Sequence, residues 1–141
     1  MRVFPINSAF HSKLTFFSSL VAAGFPSPAD DYAEKSLSLD ELLVKHPSAT
    51  YLVRANGDSM VRSGIFDQDI LIVDRAVKAS DGDIVIAAFN GELTCKYLDT
   101  HAKQLVAANP AYPPIPIKDE EDVVIEGVVI SSIRLHRLCT R

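Results

Sequence analysis

The sequence predicts a mostly β protein: a compact antiparallel β-domain with one short helix and an extended N-terminal arm. Two observations carry this prediction. Six short segments after residue 49 are rich in β-branched and aromatic residues and are bounded by turn-forming residues. A helix-start signal precedes only one short segment. The six predicted strands are TYLVRA, DILIVD, DIVIAAF, ELTCKYL, QLVAA and VVIEGVVISSIRL.

The first 37 residues differ in composition from the rest of the chain. Residues 1–23 hold four phenylalanines and two leucines but only two charged side chains, and their apolar positions follow neither a helical nor a strand period. We interpret this segment as an arm that docks onto another surface. Residues 24–37 include Pro26 and Pro28, so we predict an extended linker there. The β-domain then spans residues 38–141.

The β-domain begins with the helix signal. Ser38 is followed three residues later by Glu41, which is the spacing of a capping box, and three leucines supply a short apolar stripe. Pro47 cannot continue a helix. We therefore predict a helix of at most two turns between Ser38 and Pro47.

Two glycines predict a turn and an irregularity in the strand region. Asn90-Gly91 separates DIVIAAF from ELTCKYL and predicts a two-residue type I′ hairpin, because both turn positions need positive φ. Gly127 lies inside the long last segment, where we predict a bulge or a corner.

Composition excludes several classes of function. A net charge of −4 argues against a broad nucleic-acid-binding surface, and no apolar run reaches the roughly 18 residues that a membrane span requires. Cys95 and Cys139 match no metal-binding spacing, and the four histidines form no metal motif. We expect neither a metal nor another cofactor, and 141 residues with 48% hydrophobic content are enough for one packed domain.

Ser59 is a candidate nucleophile. It lies in the sequence Gly-Asp-Ser-Met between a predicted strand and a turn-rich segment, and a serine on such a corner exposes its Oγ beside backbone N–H groups. An ordinary capping or turn serine would fit the same pattern. No histidine is placed as its base.

Lys96 is a candidate base. Strand alternation puts it on one face with Glu92, Thr94 and Leu98, and puts Leu93, Cys95 and Tyr97 on the other. To be neutral at pH 7, a lysine must lose about 3 pKa units, which needs burial without a carboxylate partner. An exposed lysine on a polar hairpin face is the more common interpretation of this pattern, and residue chemistry allows a base here without selecting it.

Four stretches together resemble the UmuD proteins of the LexA-type (S24) self-cleaving serine peptidases. The resemblance runs from about residue 23 to the C-terminus and implies the LexA/UmuD C-terminal fold. It also implies that Ser59 is the nucleophile, that Lys96 is the general base and that the cleaved bond joins Ala23 to Gly24. The backbone N–H groups of Ser59 and Met60 are the candidate oxyanion donors. The stretches are AGFPSPADDY, HPSATYLVRANGDSM, DQDILIVDRAVKASDGDIVIAAFNGELTCKYL and NPAYPPI.

The same resemblance implies a place in the SOS DNA-damage response. In that family a RecA filament on single-stranded DNA stimulates self-cleavage, and the product, here residues 24–141, forms a homodimer. The dimer then acts with a UmuC-type Y-family polymerase in error-prone translesion synthesis, in the cytoplasm. Twenty-three residues cannot hold a helix-turn-helix, so we expect no direct sequence-specific DNA binding.

Two other functions fit parts of the sequence. The first is a secreted or periplasmic β-domain whose signal peptide is cut at the same Ala23–Gly24 bond, with Arg2 and Lys13 as the basic region and LTFFSSL as the apolar region. The late position of Lys13 and the three hydroxyl side chains in that apolar region argue against it. The second is a noncatalytic β-module that binds a partner.

Overall fold

The computed structural model describes residues 2–5, 13–17, 34–119 and 122–137. The chain divides into two compact units. One unit comprises residues 1–6 and 46–141, and the other comprises residues 7–45. None of the helices in the described ranges has the length and hydropathy that crossing a bilayer needs.

The smaller unit contains two strands and a helix. Strands β2 (Lys13–Phe17) and β3 (Glu34–Ser38) pair antiparallel, with Lys13 opposite Ser38 and Phe17 opposite Glu34. Residues 34–37, assigned from the sequence to an extended linker, are therefore in a strand.

The one α-helix of the described residues is α1, Leu39–Leu43. The Oγ atom of Ser38 accepts a hydrogen bond of 3.0 Å from the backbone N–H of Glu41. This bond satisfies one of the free N–H groups of the first turn, so the predicted cap and the predicted helix are both confirmed. The helix ends four residues before Pro47, at a C-cap formed by Val44.

The larger unit is an antiparallel sheet, and its eight strands in the described residues confirm the predicted fold class. The spatial order is β1-β4-β5-β10-β6-β7-β8-β9. The described residues include two short 3₁₀ turns. Pro47–Ala49 directly precedes β4, and Val61–Ser63 lies within the loop after β4. The strands are β1 (Arg2–Pro5), β4 (Thr50–Arg54), β5 (Ile70–Asp74), β6 (Ile84–Phe89), β7 (Glu92–Asp99), β8 (Gln104–Val106), β9 (Ile115–Pro116) and β10 (Val123–Ile133).

The predicted hairpin and bulge are both present. Asn90 and Gly91 have φ of 51° and 77°, as a type I′ turn requires, and they join β6 to β7 with Phe89 opposite Glu92. The register between β10 and β6 shifts between Ile125 and Gly127. The extra residue lets β10 bend between its two neighbours β5 and β6.

Buried side chains form two clusters, and β6 contributes to both. Ile86 belongs to the first cluster, whereas Val85 and Ala87 belong to the second. Because neighbouring residues of a strand point to opposite faces, both faces of β6 are covered. The first cluster also contains Tyr51, Val53, Ala55, Met60, Ile65, Leu71, Val73 and Cys95, and the second also contains Leu105, Val123 and Val128.

Candidate active site

Ser59 lies in the loop between β4 and β5, and Gly57 gives that loop its shape. Gly57 has φ of +92°, a conformation that side chains with a Cβ rarely adopt. Its backbone N–H donates a hydrogen bond of 2.7 Å to Oδ1 of Asp67, farther along the same loop. The glycine that lies two residues before the serine is therefore held in place from one side.

Met60 anchors the other side of the serine. It is 3% exposed, and its backbone carbonyl accepts from both the N–H and the Oγ of Ser63. Its Sδ lies 3.4 Å from the backbone nitrogen of Ala108. Ser59, which is half-buried, is thus fixed between a tethered glycine and a buried methionine.

Lys96 of β7 reaches this loop. Its Nζ lies 3.1 Å from Oγ of Ser59, 2.9 Å from Oγ1 of Thr94 and 3.1 Å from the carbonyl oxygen of Cys95. The contact with Thr94 confirms the predicted strand alternation, because residues two apart share a face. All three neighbours are oxygen atoms, and Nζ of Lys96 donates a hydrogen bond to each of them.

Burial sets the electrostatics of Lys96. The side chain is 7% exposed, and desolvation lowers its pKa below the ordinary value of 10.5. Burial also raises the pKa of the Cys95 thiol, to about 12, so this neighbour is uncharged at neutral pH and offers no counter-ion. Among the described residues no carboxylate forms an ion pair with Lys96. The alternative of an exposed lysine on a polar face does not hold in this structure.

Ser59 and Lys96 line an open cleft of about 660 Å³. One wall is the loop at residues 55–60, the other is the start of β7 at residues 91–96, and Tyr112 stands at the rim. Strand β8 pairs with β7 only from Tyr97 to Asp99. Within the described residues, the first half of β7 therefore has no strand on the side away from β6. An extended peptide could add there by backbone hydrogen bonds.

The backbone beside Ser59 offers free donors. The N–H groups of Gly57, Val61 and Arg62 have acceptors, whereas those of Ser59 and Met60 donate to none within the described residues. Such groups can stabilise charge that develops on a carbonyl oxygen during acyl transfer.

The structure thus brings together two of the sequence-predicted site residues, Ser59 and Lys96, and places Met60 beside them. Their chemical roles stay predictions. Ala23 and Gly24, the predicted cleavage site, lie outside the described residues, as does Cys139.

The sequence analysis assigned no role to the segment at residues 108–112, which contacts the loop that carries Ser59. Nδ2 of Asn109 donates to the carbonyl oxygen of Asp58 at 3.0 Å, and the Tyr112 hydroxyl donates to Oδ1 of Asp58 at 2.6 Å. The motif NPAYPPI was a signal for this segment, but a single sequence does not show that it packs on a loop some fifty residues away.

Comparison with known proteins gives consistent matches. The model of the peptidase S24-like family matches residues 15–130. Protein MucA of Escherichia coli is 43% identical over 136 residues, which cover 95% of this chain and 92% of that protein. Protein SamA of Salmonella typhimurium is 41% identical, covering 96% of this chain and 95% of that protein. LexA repressor 2 of Pseudomonas putida is 40% identical over 116 residues, 81% of this chain and 57% of that protein.

Proposed function

The chain belongs to the peptidase S24-like family, and on that premise we propose that Ser59 and Lys96 are the catalytic dyad with which it cleaves itself. The relatives confirm the resemblance to UmuD-type and LexA-type proteins. They also support the assignment of this chain as a self-cleaving serine peptidase. The observation that carries the dyad is the distance of 3.1 Å between Nζ of Lys96 and Oγ of Ser59, with Lys96 buried and without an acidic partner among the described residues.

In the first half of the proposed reaction, neutral Lys96 takes the hydroxyl proton of Ser59 as Oγ attacks the carbonyl carbon of Ala23. The carbonyl oxygen gains negative charge, which the N–H groups of Ser59 and Met60 stabilise. When the tetrahedral intermediate collapses, the Ala23–Gly24 bond breaks and protonated Lys96 gives its proton to the Gly24 amine. Ala23 is then an ester of Ser59.

In the second half, water replaces the amine. Lys96, again neutral, takes a proton from water as the oxygen attacks the ester carbonyl. The ester bond breaks, protonated Lys96 returns its proton to Oγ of Ser59, and the fragment ending at Ala23 leaves as a carboxylic acid that releases its proton to water. The dyad returns to its starting state.

The free side of β7 supports a binding mode for the cleaved segment. An extended stretch around Ala23 and Gly24 would lie along residues 92–96 as an added strand, which places its carbonyl groups beside the Ser59 loop. Ala23 and Gly24, the small residues at the cleaved bond, suit a narrow cleft.

We also propose the domain organisation that cleavage implies. Residues 1–23 are an arm that self-cleavage removes, residues 24–37 are a linker whose last residues, 34–37, lie in β3, and residues 38–141 are the peptidase and dimerisation domain. The family match over residues 15–130 supports one continuous functional unit.

The cellular role follows from the same family. We propose that a RecA filament on single-stranded DNA stimulates cleavage in the SOS response and that the product forms a homodimer in the cytoplasm. The dimer serves as the accessory subunit of a UmuC-type Y-family polymerase in translesion synthesis. Identities of 41–43% to MucA and SamA over nearly the whole chain support this assignment.

The test is self-cleavage of the purified full-length chain at alkaline pH, where more of Lys96 is neutral. We expect intact mass and N-terminal sequencing to identify a fragment that starts at Gly24. Ser59→Ala and Lys96→Ala should stay uncut, and Ser80→Ala, which removes an exposed hydroxyl outside the cleft, is the matched control for the first of them.

Two results would overturn the proposal. If the Ser59→Ala protein is still cut at Ala23–Gly24 in cells, another enzyme such as a signal peptidase makes the cut. If wild-type protein stays intact even with RecA, ATP and single-stranded DNA, the chain is a noncatalytic module.

A further inference from the structure

The segment Ala108–Tyr112 holds the residue that precedes the nucleophile by two separate bonds. Nδ2 of Asn109 donates to the backbone carbonyl of Asp58 at 3.0 Å, and the hydroxyl of Tyr112 donates to the Asp58 carboxylate at 2.6 Å. A short hydrogen bond to an ionised acceptor is among the stronger ones. The Asp58 carboxylate also raises the pKa of Tyr112, so this donor keeps its proton well into alkaline solution.

The bond from Asn109 fixes a direction as well as a position. The carbonyl of Asp58 and the N–H of Ser59 belong to one peptide group, and the described chain has no cis peptide bonds. In a planar trans peptide the carbonyl and the N–H point in opposite directions. When Asn109 holds the carbonyl on one side, the N–H of Ser59 is turned to the other.

The loop has further anchors on both sides of this peptide. Gly57 is tied to Asp67 by a bond of 2.7 Å, and the N–H of Arg62 donates to the carbonyl of Ala108 at 3.0 Å. The Asp58 carbonyl also accepts from the backbone N–H of Val61 at 3.4 Å, so the shorter bond from Asn109 adds to a long turn contact in orienting the peptide between Asp58 and Ser59.

We propose that Asn109 and Tyr112 are positioning residues that hold Asp58 so that the backbone N–H of Ser59 serves as an oxyanion donor. Neither side chain takes part in proton transfer between Ser59 and Lys96. The inference rests on the proposed function, because it assigns the orientation of a donor in that same reaction.

Two variants of the full-length chain remove the two hydrogen bonds to Asp58 one at a time. Tyr112→Phe removes only the hydroxyl, and the residue is 41% exposed, so the core is not disturbed. Asn109→Ser removes the Nδ2 donor without adding a charge, and its Oγ can replace the oxygen that accepts from the N–H of Ala111 at 3.0 Å. Tyr51→Phe is the matched control, because it removes a tyrosine hydrogen bond to the carbonyl of Glu126, outside the cleft.

Self-cleavage rates across pH are measured together with labelling of Ser59 by a small fluorophosphonate. Loss of a whole oxyanion donor slows acyl transfer by about 10²–10³-fold. A Ser59 N–H that is still present but poorly oriented should therefore slow it by about tenfold. We expect both Tyr112→Phe and Asn109→Ser to lower self-cleavage and labelling together. The pH midpoint and the thermal unfolding midpoint should match those of wild type, since the pKa of Lys96 and the core are untouched.

Several outcomes would overturn the inference. Rates equal to wild type show that the two bonds are dispensable. Slower self-cleavage with unchanged labelling shows that the residues contact the cleaved segment instead of orienting Ser59. A shifted pH midpoint shows that they act on Lys96. If wild-type protein neither cleaves nor becomes labelled, the proposed function itself fails and this inference fails with it, whereas an active wild type with unaffected variants overturns the positioning role alone.

Discussion

Nζ of Lys96 lies 3.1 Å from Oγ of Ser59 although 37 residues separate them in the chain. The lysine comes from β7 and the serine from the loop after β4, so only the folded sheet brings them together. Burial lowers the pKa of Lys96, and the absence of an acidic partner in the described residues leaves that effect unopposed. A buried lysine beside a serine is the arrangement that a base without histidine requires.

The rate of self-cleavage should rise with pH, with a midpoint below the 10.5 of an ordinary lysine. In the proposed mechanism the neutral amine is the active form, and its fraction grows as pH passes upward through the pKa of folded Lys96, which lies below the ordinary 10.5. The measurement is the first-order rate constant of purified protein from about pH 6 to about pH 11, a range that brackets the pKa of an ordinary lysine. Lys96→Arg, which stays protonated over this range, should not cleave at any pH. A rate that is independent of pH would refute Lys96 as the base.

Lys96→Met should change the pH dependence of stability. Because the folded pKa is lowered, the folded state binds the lysine proton less well than the unfolded state does. The resulting loss of folding stability is fully present below the folded pKa and disappears above the unfolded pKa of about 10.5. The free energy of unfolding of wild type, relative to Lys96→Met, should therefore increase as pH rises from neutral toward 10.5. Urea unfolding at several pH values measures it.

The comparison needs a baseline for loss of a lysine. Lys78→Met removes an exposed lysine and supplies it. A difference between wild type and Lys96→Met that stays constant with pH would mean that the folded protein does not disfavour the charged amine.

The sequence predicted the features that depend on a few neighbouring residues. Ser38 caps α1, Asn90-Gly91 forms the hairpin turn and Gly127 marks a bulge, because each is a local backbone requirement that few residue types meet. Alternation also put Lys96 and Thr94 on one face of β7.

What alternation could not predict is that this face is covered. Val85, opposite Lys96 in the ladder, belongs to the second buried cluster, and that burial comes from residues far away in sequence. Pairing of β1 with β4, which sets Phe4 opposite Leu52, likewise joins distant segments. The contacts of Asp58 with Asn109 and Tyr112 span 51 and 54 residues. Such contacts depend on the order of the strands in the sheet. No local turn signal links the contacting residues in the sequence, so the sequence does not specify that order.

His46→Ala should make the protein more sensitive to acid. Asp74 is fully buried, and burial by itself would raise its pKa, but hydrogen bonds from Nδ1 of His46 at 2.6 Å and from the N–H of Ala76 hold that pKa below the ordinary value. A carboxyl with a lowered folded pKa contributes stability above its unfolded pKa of about 3.8, and loses it as pH falls through the folded pKa. Without His46 this loss should begin at higher pH.

At neutral pH we expect His46→Ala to cost about 1 kcal/mol, because the bond is charge-assisted but the imidazole is half-exposed. Urea midpoints from about pH 3 to neutral pH test both statements. His101→Ala, which removes an 87% exposed histidine 3.6 Å from Asp81, should leave the acid limb unchanged. If the urea midpoint of His46→Ala falls with acid in the same way as that of wild type, the imidazole does not stabilise the Asp74 carboxylate.

Gly127→Ala should destabilise the sheet by about 1–3 kcal/mol through overpacking. A Cβ on Gly127 would lie 2.5 Å from Cγ1 of Val73 and 3.3 Å from the carbonyl oxygen of Asp74. Val73 is 0% exposed, so its side chain has no room to move away. The free energy of unfolding in urea measures the loss.

The cause of that loss can be isolated with a double-mutant cycle. Val73→Ala removes Cγ1 and leaves a small cavity beside the bulge, into which the new Cβ of Gly127→Ala fits. The second substitution should therefore cost less in the Val73→Ala background than in wild type, a favourable coupling between residues in contact. Gly91→Asn is the control for a glycine with positive φ but open space around it, and it should cost little because asparagine tolerates that conformation. Strictly additive losses for Gly127→Ala and Val73→Ala would show that backbone strain at the bulge, not the contact with Val73, requires the glycine.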